Sequence, residues 1–200
     1  MTKKRSQPII HTYILAAGQS SRFGKTKLTQ IFRGLPLVQH SILAAKNACK
    51  DRVTLVVGHD ANSVIKASGD LADTIILNSN FKKGMGSSIS TAVNTSKETA
   101  DAILIILADQ PFVSSFELTM IVDAWSGSSN EIVVSSYDGI ESPPILFPKT
   151  AYHYLENLNE DFGAKDLIKN NKFNLKKIKI PSAKYDIDTK QDFDFLSKFT

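Results

Sequence analysis

The chain has 200 residues, of which 42% are hydrophobic, a net charge of +4 and a single cysteine, Cys49. Such a length and composition suit one domain over residues 1–200 with a substantial core, residues 1–8 being expected as a flexible extension, and they exclude intrinsic disorder and a disulfide framework. The positive balance favours anionic ligands, but Lys82-Lys83 and Lys176-Lys177-Lys179 are separated and lack stacking aromatics, so they read as solvated surface and no nucleic acid is expected.

Met1–Pro8 is basic and polar without the apolar segment of a signal peptide, and no apolar run is long enough to span a bilayer, so a cytoplasmic protein with no membrane partner is expected. Apolar runs at Ile9–Leu15, Val53–Val57, Thr74–Leu77, Ala102–Leu107 and Ile132–Val134 predict strands. Between them, amphipathic spacing predicts helices from Pro36 to about Lys50, over Ala61–Ala67, Ser87–Ser96 and Ser114–Trp125. After Ser135 the pattern loosens, with Pro143-Pro144 before Ile145-Leu146-Phe147, helices near Lys149–Asn157 and Gly163–Asn170, and a strand around Leu175–Ile180. The alternation is βαβ, and Ile103-Leu104-Ile105-Ile106-Leu107 is apolar on both faces. The expected fold is therefore α/β: a doubly wound, mostly parallel sheet with helices on both faces. Cys49 and Trp125 fall on apolar helical patterns and read as core. His11, His40, His59 and His153 show no metal-ligand spacing.

In such a sheet, ligands bind beyond the carboxyl ends of the strands. Three segments land there: the loop after Ile9–Leu15, Asn78 after Thr74–Leu77, and Asp109 after Ala102–Leu107. The loop Leu15-Ala16-Ala17-Gly18-Gln19-Ser20-Ser21-Arg22-Phe23-Gly24-Lys25-Thr26-Lys27 has small residues that allow close backbone approach, and its Arg22, Lys25 and Lys27 can neutralise phosphate oxygens. It is not a P-loop, because five residues rather than four separate Gly18 from Gly24, and Gly34 and Pro36 interrupt any long helix from Lys25. No G-x-G-x-x-G follows the first strand, which argues against a dinucleotide dehydrogenase. Asp109, just past an apolar strand, can hold Mg²⁺ against phosphates or can serve as a turn residue. Gly84-Met85-Gly86-Ser87-Ser88 opens a helix, either as an anion or polar-substrate site or as an ordinary serine cap. Asp188-Thr189 with Asp192 carries the pattern of a helix N-cap.

Leu15 to Lys27 resembles, without a gap, the Leu-Ala-Ala-Gly-x-Ser-x-Arg-x-Gly-x-x-Lys signature of the nucleotidyltransferases. Three further blocks, Gly84-Met85-Gly86-Ser87-Ser88-Ile89, Leu107-Ala108-Asp109-Gln110-Pro111 and Asp186-Ile187-Asp188-Thr189 with Asp192, extend the resemblance to the molybdenum cofactor cytidylyltransferase branch of the MobA-like superfamily, over nearly the whole chain. The resemblance implies a Rossmann-like nucleotidyltransferase that moves CMP from CTP to the phosphate of a molybdopterin-type cofactor and releases pyrophosphate. Implied partners are CTP or another nucleoside triphosphate, a phosphorylated pterin acceptor, and a recipient molybdoenzyme or its chaperone. The Ala16-Ala17 form of the first block implies cytosine, since guanylyl-transferring relatives carry Gly-Gly there. Asp109 and Asp188 are implied as ligands of Mg²⁺. Arg22 and Lys27 stand with them as catalytic residues, and Leu15, Ala16, Ala17, Gly18, Arg22, Lys27, Asn78, Gly86, Ser87, Ser88 and Asp109 are implied nucleotide contacts. Asp186 and Asp192 are implied to be structural or to support the metal ligands from outside. The chain departs from the family at Glu141-Ser142-Pro143-Pro144-Ile145-Leu146-Phe147, which lacks a glycine before Pro-x-Leu-Phe, and at Asp161-Phe162-Gly163-Ala164-Lys165, where lysine replaces arginine. Two alternatives share the same blocks: a nucleotidyltransferase acting on a sugar phosphate or other small phosphorylated acceptor, and a non-catalytic protein that binds and delivers the molybdenum cofactor.

Overall fold

A computed structural model describes residues 8–49, 52–156, 158, 167–168 and 172–198. Its centre is a seven-stranded sheet in the order β5-β4-β1-β6-β8-β7-β9. The strands are β1 (Ile10–Ala16), β4 (Val53–Val57), β5 (Thr74–Leu77), β6 (Ala102–Leu107), β7 (Glu131–Tyr137), β8 (Ile140–Pro148) and β9 (Asn174–Lys179). Adjacent pairs from β5 to β6 are parallel, β8 runs antiparallel to both β6 and β7, and β9 is parallel to β7. One reversed strand in seven makes the sheet mostly parallel, as expected.

Strand alternation splits the core into two layers. Ile14 and Ala16 of β1, with Ala102, Leu104 and Ile106 of β6, pack on one face under α1 (Leu37–Ala48), α2 (Ala61–Ser68), α4 (Ser115–Ala124) and α6 (Lys190–Leu196). Tyr13, Leu15, Ile103, Ile105 and Leu107 face the other layer under α3 (Met85–Ser96) and α5 (Tyr152–Leu155). Every residue of β4 and β6 is buried, which is why β6 reads as an uninterrupted apolar run and β4 as one broken only by Thr54. Trp125 is buried as expected, its indole N–H donating to the Ser128 carbonyl, and Cys49 is half-buried against the first layer. Among the described residues no helix is long and apolar enough to cross a membrane.

The structure corrects several local expectations. Pro36 is not in the first turn of α1. It ends a two-residue strand, β3 (Leu35–Pro36), that pairs with β2 (Ile31–Phe32) across a turn in which Arg33 and Gly34 both have positive φ. That geometry is the two-residue hairpin turn that matches strand twist. Nine-residue β8 was not expected at all. Its prolines lack ladder N–H groups, and pairing with β7 jumps from Val134↔Ile145 to Ser135↔Ser142, passing over Pro143 and Pro144. The helix expected over Lys149–Asn157 is a 3₁₀ turn, Lys149–Ala151, leading into α5. Serine does not cap α3: Gly84, at φ +86°, is its N-cap. Thr189 does cap α6, in a reciprocal box with Asp192. The extension at 1–7, the segment Asp161–Lys165, and most of the helix expected over Gly163–Asn170 lie outside the described residues.

Candidate active site

β1 and β6 are neighbours, so their carboxyl ends open side by side into a cleft of about 410 Å³, a size that suits a small-molecule ligand. One wall is the loop from Leu15 to Arg22. Its return is fixed by a turn, the Phe23 N–H donating to Ser20 O at 3.0 Å with Ser20 at φ +53°, and by the buried Phe23 ring packed edge-on against Phe193 of α6 at 5.7 Å. This anchor turns Arg22 and Lys27 back towards the strand ends.

Lys27 is the centre of the site. Its side chain is only 10% exposed, and its ammonium donates to Asp109 Oδ2 at 2.7 Å and Asp188 Oδ1 at 3.0 Å. Burial pulls the Lys27 pKa down, but the Asp109 charge and the bonds from both carboxylates outweigh it and leave the pKa raised, so the ammonium is charged across the physiological range. Arg22, 71% exposed at the rim, donates to the other oxygen of Asp188 at 2.8 Å. An ammonium carries three donors, and two are spent on carboxylates, which leaves the third for a ligand oxygen.

Two loops bring the carboxylates together. Asp109 follows β6, and its carbonyl accepts the Ile187 N–H at 3.0 Å. Asp188 precedes α6, where Asp192 Oδ2 accepts the N–H groups of Asp188 and Thr189 at 3.2 and 2.8 Å. Asp192 therefore caps a helix, and bonding to Thr189 and to those N–H groups keeps its pKa low against the opposing effect of burial. Asp186 accepts from the Gln110 amide at 2.8 Å; burial and the Asp109 charge push its pKa up to about 6, against the lowering effects of the Gln110 bond and the Lys27 charge.

The opposite wall is formed by Phe81, Lys82, Gly84, Met85 and Ser88. Of the expected nucleotide contacts, Leu15, Ala16, Ala17, Gly18, Arg22, Lys27, Asp109 and Ser88 line the cleft, together with Asp188. Asn78, Gly86 and Ser87 do not. Asn78 is 1% exposed and its amide is consumed internally: Nδ2 donates to Ser87 and Ser88 Oγ, both at 2.9 Å, while Oδ1 accepts the Asn80 N–H. Its geometry ties the end of β5 to the start of α3.

Lys82, read from sequence as solvated surface, lines the cleft. The signal was its position, in the short stretch between a strand's carboxyl end and a glycine-opened helix. Gly58 was not singled out either. A Cβ there would lie 2.7 Å from Phe81 Cβ and 2.8 Å from Ala17 Cβ, so only glycine lets the two walls approach behind the cleft.

The two carboxylates supply hard oxygen donors, and two protein ligands are the number with which a small divalent ion keeps its remaining positions for water and phosphate oxygens. The residues present therefore fit a Mg²⁺- or Mn²⁺-type ion and not a soft-metal site.

Residues 12–177 match the model of the MobA-like NTP transferase domain. The chain belongs to this family. Members of the MobA-like NTP transferase family are nucleotidyltransferases that act on nucleoside triphosphates. The purine catabolism protein PucB of Bacillus subtilis is 29% identical over 203 residues, covering 96% of this chain and 97% of PucB. Bifunctional protein GlmU of Roseobacter denitrificans is 29% identical over 131 residues, 64% of this chain but only 29% of GlmU. Among solved structures, Rv0371c of Mycobacterium tuberculosis superposes with a TM-score of 0.83 at 24% identity, covering 97% of this chain and all of that one. A manganese complex of Rv0371c superposes with a TM-score of 0.78. These structural likenesses establish the Rossmann-like nucleotidyltransferase fold.

Proposed function

We propose that this nucleotidyltransferase moves CMP from CTP to the terminal phosphate of a molybdopterin-type pterin, releasing pyrophosphate. The observation that carries the reading is the convergence of the Ala16-Ala17-Gly18 loop, Arg22, Lys27, Asp109 and Asp188 on one cleft. In the reaction the pterin phosphate attacks the α-phosphorus of CTP in line, one P–O bond forms, and the bond to the departing pyrophosphate breaks. The nucleophile is already ionised, so no general base is required; positioning and charge stabilisation are the protein's contribution. The Ala16-Ala17-Gly18 backbone lies against the nucleotide, the rim guanidinium of Arg22 takes the charge that builds on pyrophosphate, and the third N–H of Lys27 meets a phosphate oxygen. Asp109 and Asp188 would hold Mg²⁺, which when bound neutralises and orients the triphosphate. Lys27 holds those carboxylates on a common centre while the nucleotide is absent. Lys82, across the cleft, adds positive charge to the same cavity.

The segment that departs from the family motif, Glu141–Phe147, sits in the β8 ladder and contributes nothing to the described lining of the cleft, which is consistent with a retained pterin acceptor. The test is an acceptor panel: CTP, Mg²⁺ and the protein are incubated with molybdopterin, with a hexose phosphate, or with no acceptor, and products are identified by mass. CMP-pterin is expected only in the first mixture. Transfer confined to the hexose phosphate would establish the sugar-phosphate alternative, and nucleotide or pterin binding without any transfer would establish the delivery-protein alternative.

A further inference from the structure

Asp109 and Asp188 lie far apart in sequence, and nothing in either residue alone explains why both meet one ammonium within 3.0 Å. The side chain that joins their loops is Gln110. It is fully buried, and its amide nitrogen donates to Ala183 O and to Asp186 Oδ1, both at 2.8 Å. With the Ile187 N–H donating to Asp109 O, three hydrogen bonds sew the turn after β6 to the segment 183–187 that leads into Asp188. The orientation of the Gln110 amide is fixed by its partners, since a carbonyl and a carboxylate both require a donor. Its own oxygen is buried and accepts no hydrogen bond among the described residues. All of the side chain's bonding is therefore in its two N–H groups, and they have no other target than this loop.

We propose that Gln110 is a positioning residue that sets the separation of Asp109 and Asp188 for a divalent ion, acting through Ala183 and Asp186. This rests on the assignment of the two carboxylates as the metal pair. Partners that orient metal ligands typically change affinity by about 10–100-fold when removed. Gln110→Glu replaces the donors by a carboxylate that faces Asp186 and the Ala183 carbonyl, and it leaves side-chain volume almost unchanged. Adding Asp186→Asn puts a donor back on the other side of that contact.

The experiment is titration of the purified proteins with Mn²⁺ in the absence of nucleotide, following the free-ion electron paramagnetic resonance signal, with circular dichroism melts to establish that each variant is folded at the titration temperature. Relative to wild type, Gln110→Glu should bind Mn²⁺ at least about tenfold more weakly, and Gln110→Glu/Asp186→Asn should recover most of that loss. A residue that only supported the fold would lower the melting temperature without moving the Mn²⁺ dissociation constant. A smaller loss for Gln110→Glu, with wild type binding normally, would overturn the positioning role and leave the carboxylate pair standing. If Gln110→Glu fails to fold, the double variant decides alone, near-wild-type affinity supporting the role and a loss of tenfold or more overturning it. Wild type that takes up no Mn²⁺ while Asp109→Asn behaves identically would instead remove the metal assignment on which the inference depends.

Discussion

Replacing Lys27 with methionine keeps most of the side chain's volume and deletes the charge that holds Asp109 and Asp188 together. Charge-assisted hydrogen bonds contribute about 1.5–3 kcal/mol each when well formed. Here two are lost and two carboxylates are left facing one another, but Asp188 is 35% exposed and Asp109 23%, so water recovers part of the loss, and the desolvation that burdened the ammonium disappears with it. The net expectation, in EDTA, is a destabilisation of about 2 kcal/mol, which for a chain of this size is a fall of about 4–8 °C in melting temperature. Added Mg²⁺ should then reverse the order of response. In Lys27→Met the carboxylates no longer share an ammonium, so the ion should stabilise the variant by about 2.7 kcal/mol at one hundred times its dissociation constant from the variant, and wild type by less at the same concentration. Turnover should remain lost, because the phosphate contact of the third N–H is gone. Thermal melts of both proteins with EDTA and with increasing Mg²⁺ measure this. Equal melting temperatures in EDTA, or a larger Mg²⁺ response from wild type, would refute the argument that Lys27 holds a carboxylate pair in register.

Arg22→Ala should separate stability from catalysis: with the guanidinium 71% exposed, its pair with Asp188 contributes less than about 1 kcal/mol, yet pyrophosphate release should fall about 100-fold in kcat/KM. Gly58→Ala places a methyl against Phe81 and Ala17 at distances no ordinary contact allows, so a loss of about 1–3 kcal/mol by chemical denaturation and a raised KM for nucleotide are expected; unchanged kinetics would mean the walls move independently of the cleft. Asp73 lies far from the cleft, and bonding to Lys46 and the Val53 N–H holds its carboxyl below the ordinary carboxylate range. A depressed folded pKa contributes stability above the unfolded value of about 3.9 that is lost as pH falls through the folded one. Asp73→Asn should accordingly cost about 0.5–1 kcal/mol at pH 7, with wild type and variant converging below pH 4 and nucleotide transfer unaffected; a gap that persists at low pH would contradict the linkage.

The parallel half of the sheet was legible because burial on both faces writes itself as continuous apolar sequence, as in Ile103 to Leu107. β8 was not, since Pro143 and Pro144 interrupt the pattern at the very place where the ladder skips residues. The β2–β3 hairpin was hidden because Arg33 takes positive φ where an asparagine or glycine would have announced the turn. In the site, Arg22, Lys27, Asp109 and Asp188 were found by motif, but their mutual contacts depend on the adjacency of β1 and β6 and on the Phe23–Phe193 anchor, which no local pattern encodes. Lys82 is exposed, as the sequence implies, but that it also borders the cleft follows from the chain's return from β5, which no local pattern encodes. Asn78 stood at the right strand end, yet its amide serves Ser87, Ser88 and Asn80, a structural use that only the three-dimensional partners disclose.

The most direct test of the account is pyrophosphate release from CTP by wild type and by Asp109→Asn, each with Mg²⁺ and molybdopterin. Wild type should release pyrophosphate in a pterin-dependent way, and the variant, still folded, should lose that release by at least about 100-fold. Release by Asp109→Asn at a rate near that of wild type would contradict the assignment of the chemistry to this cleft.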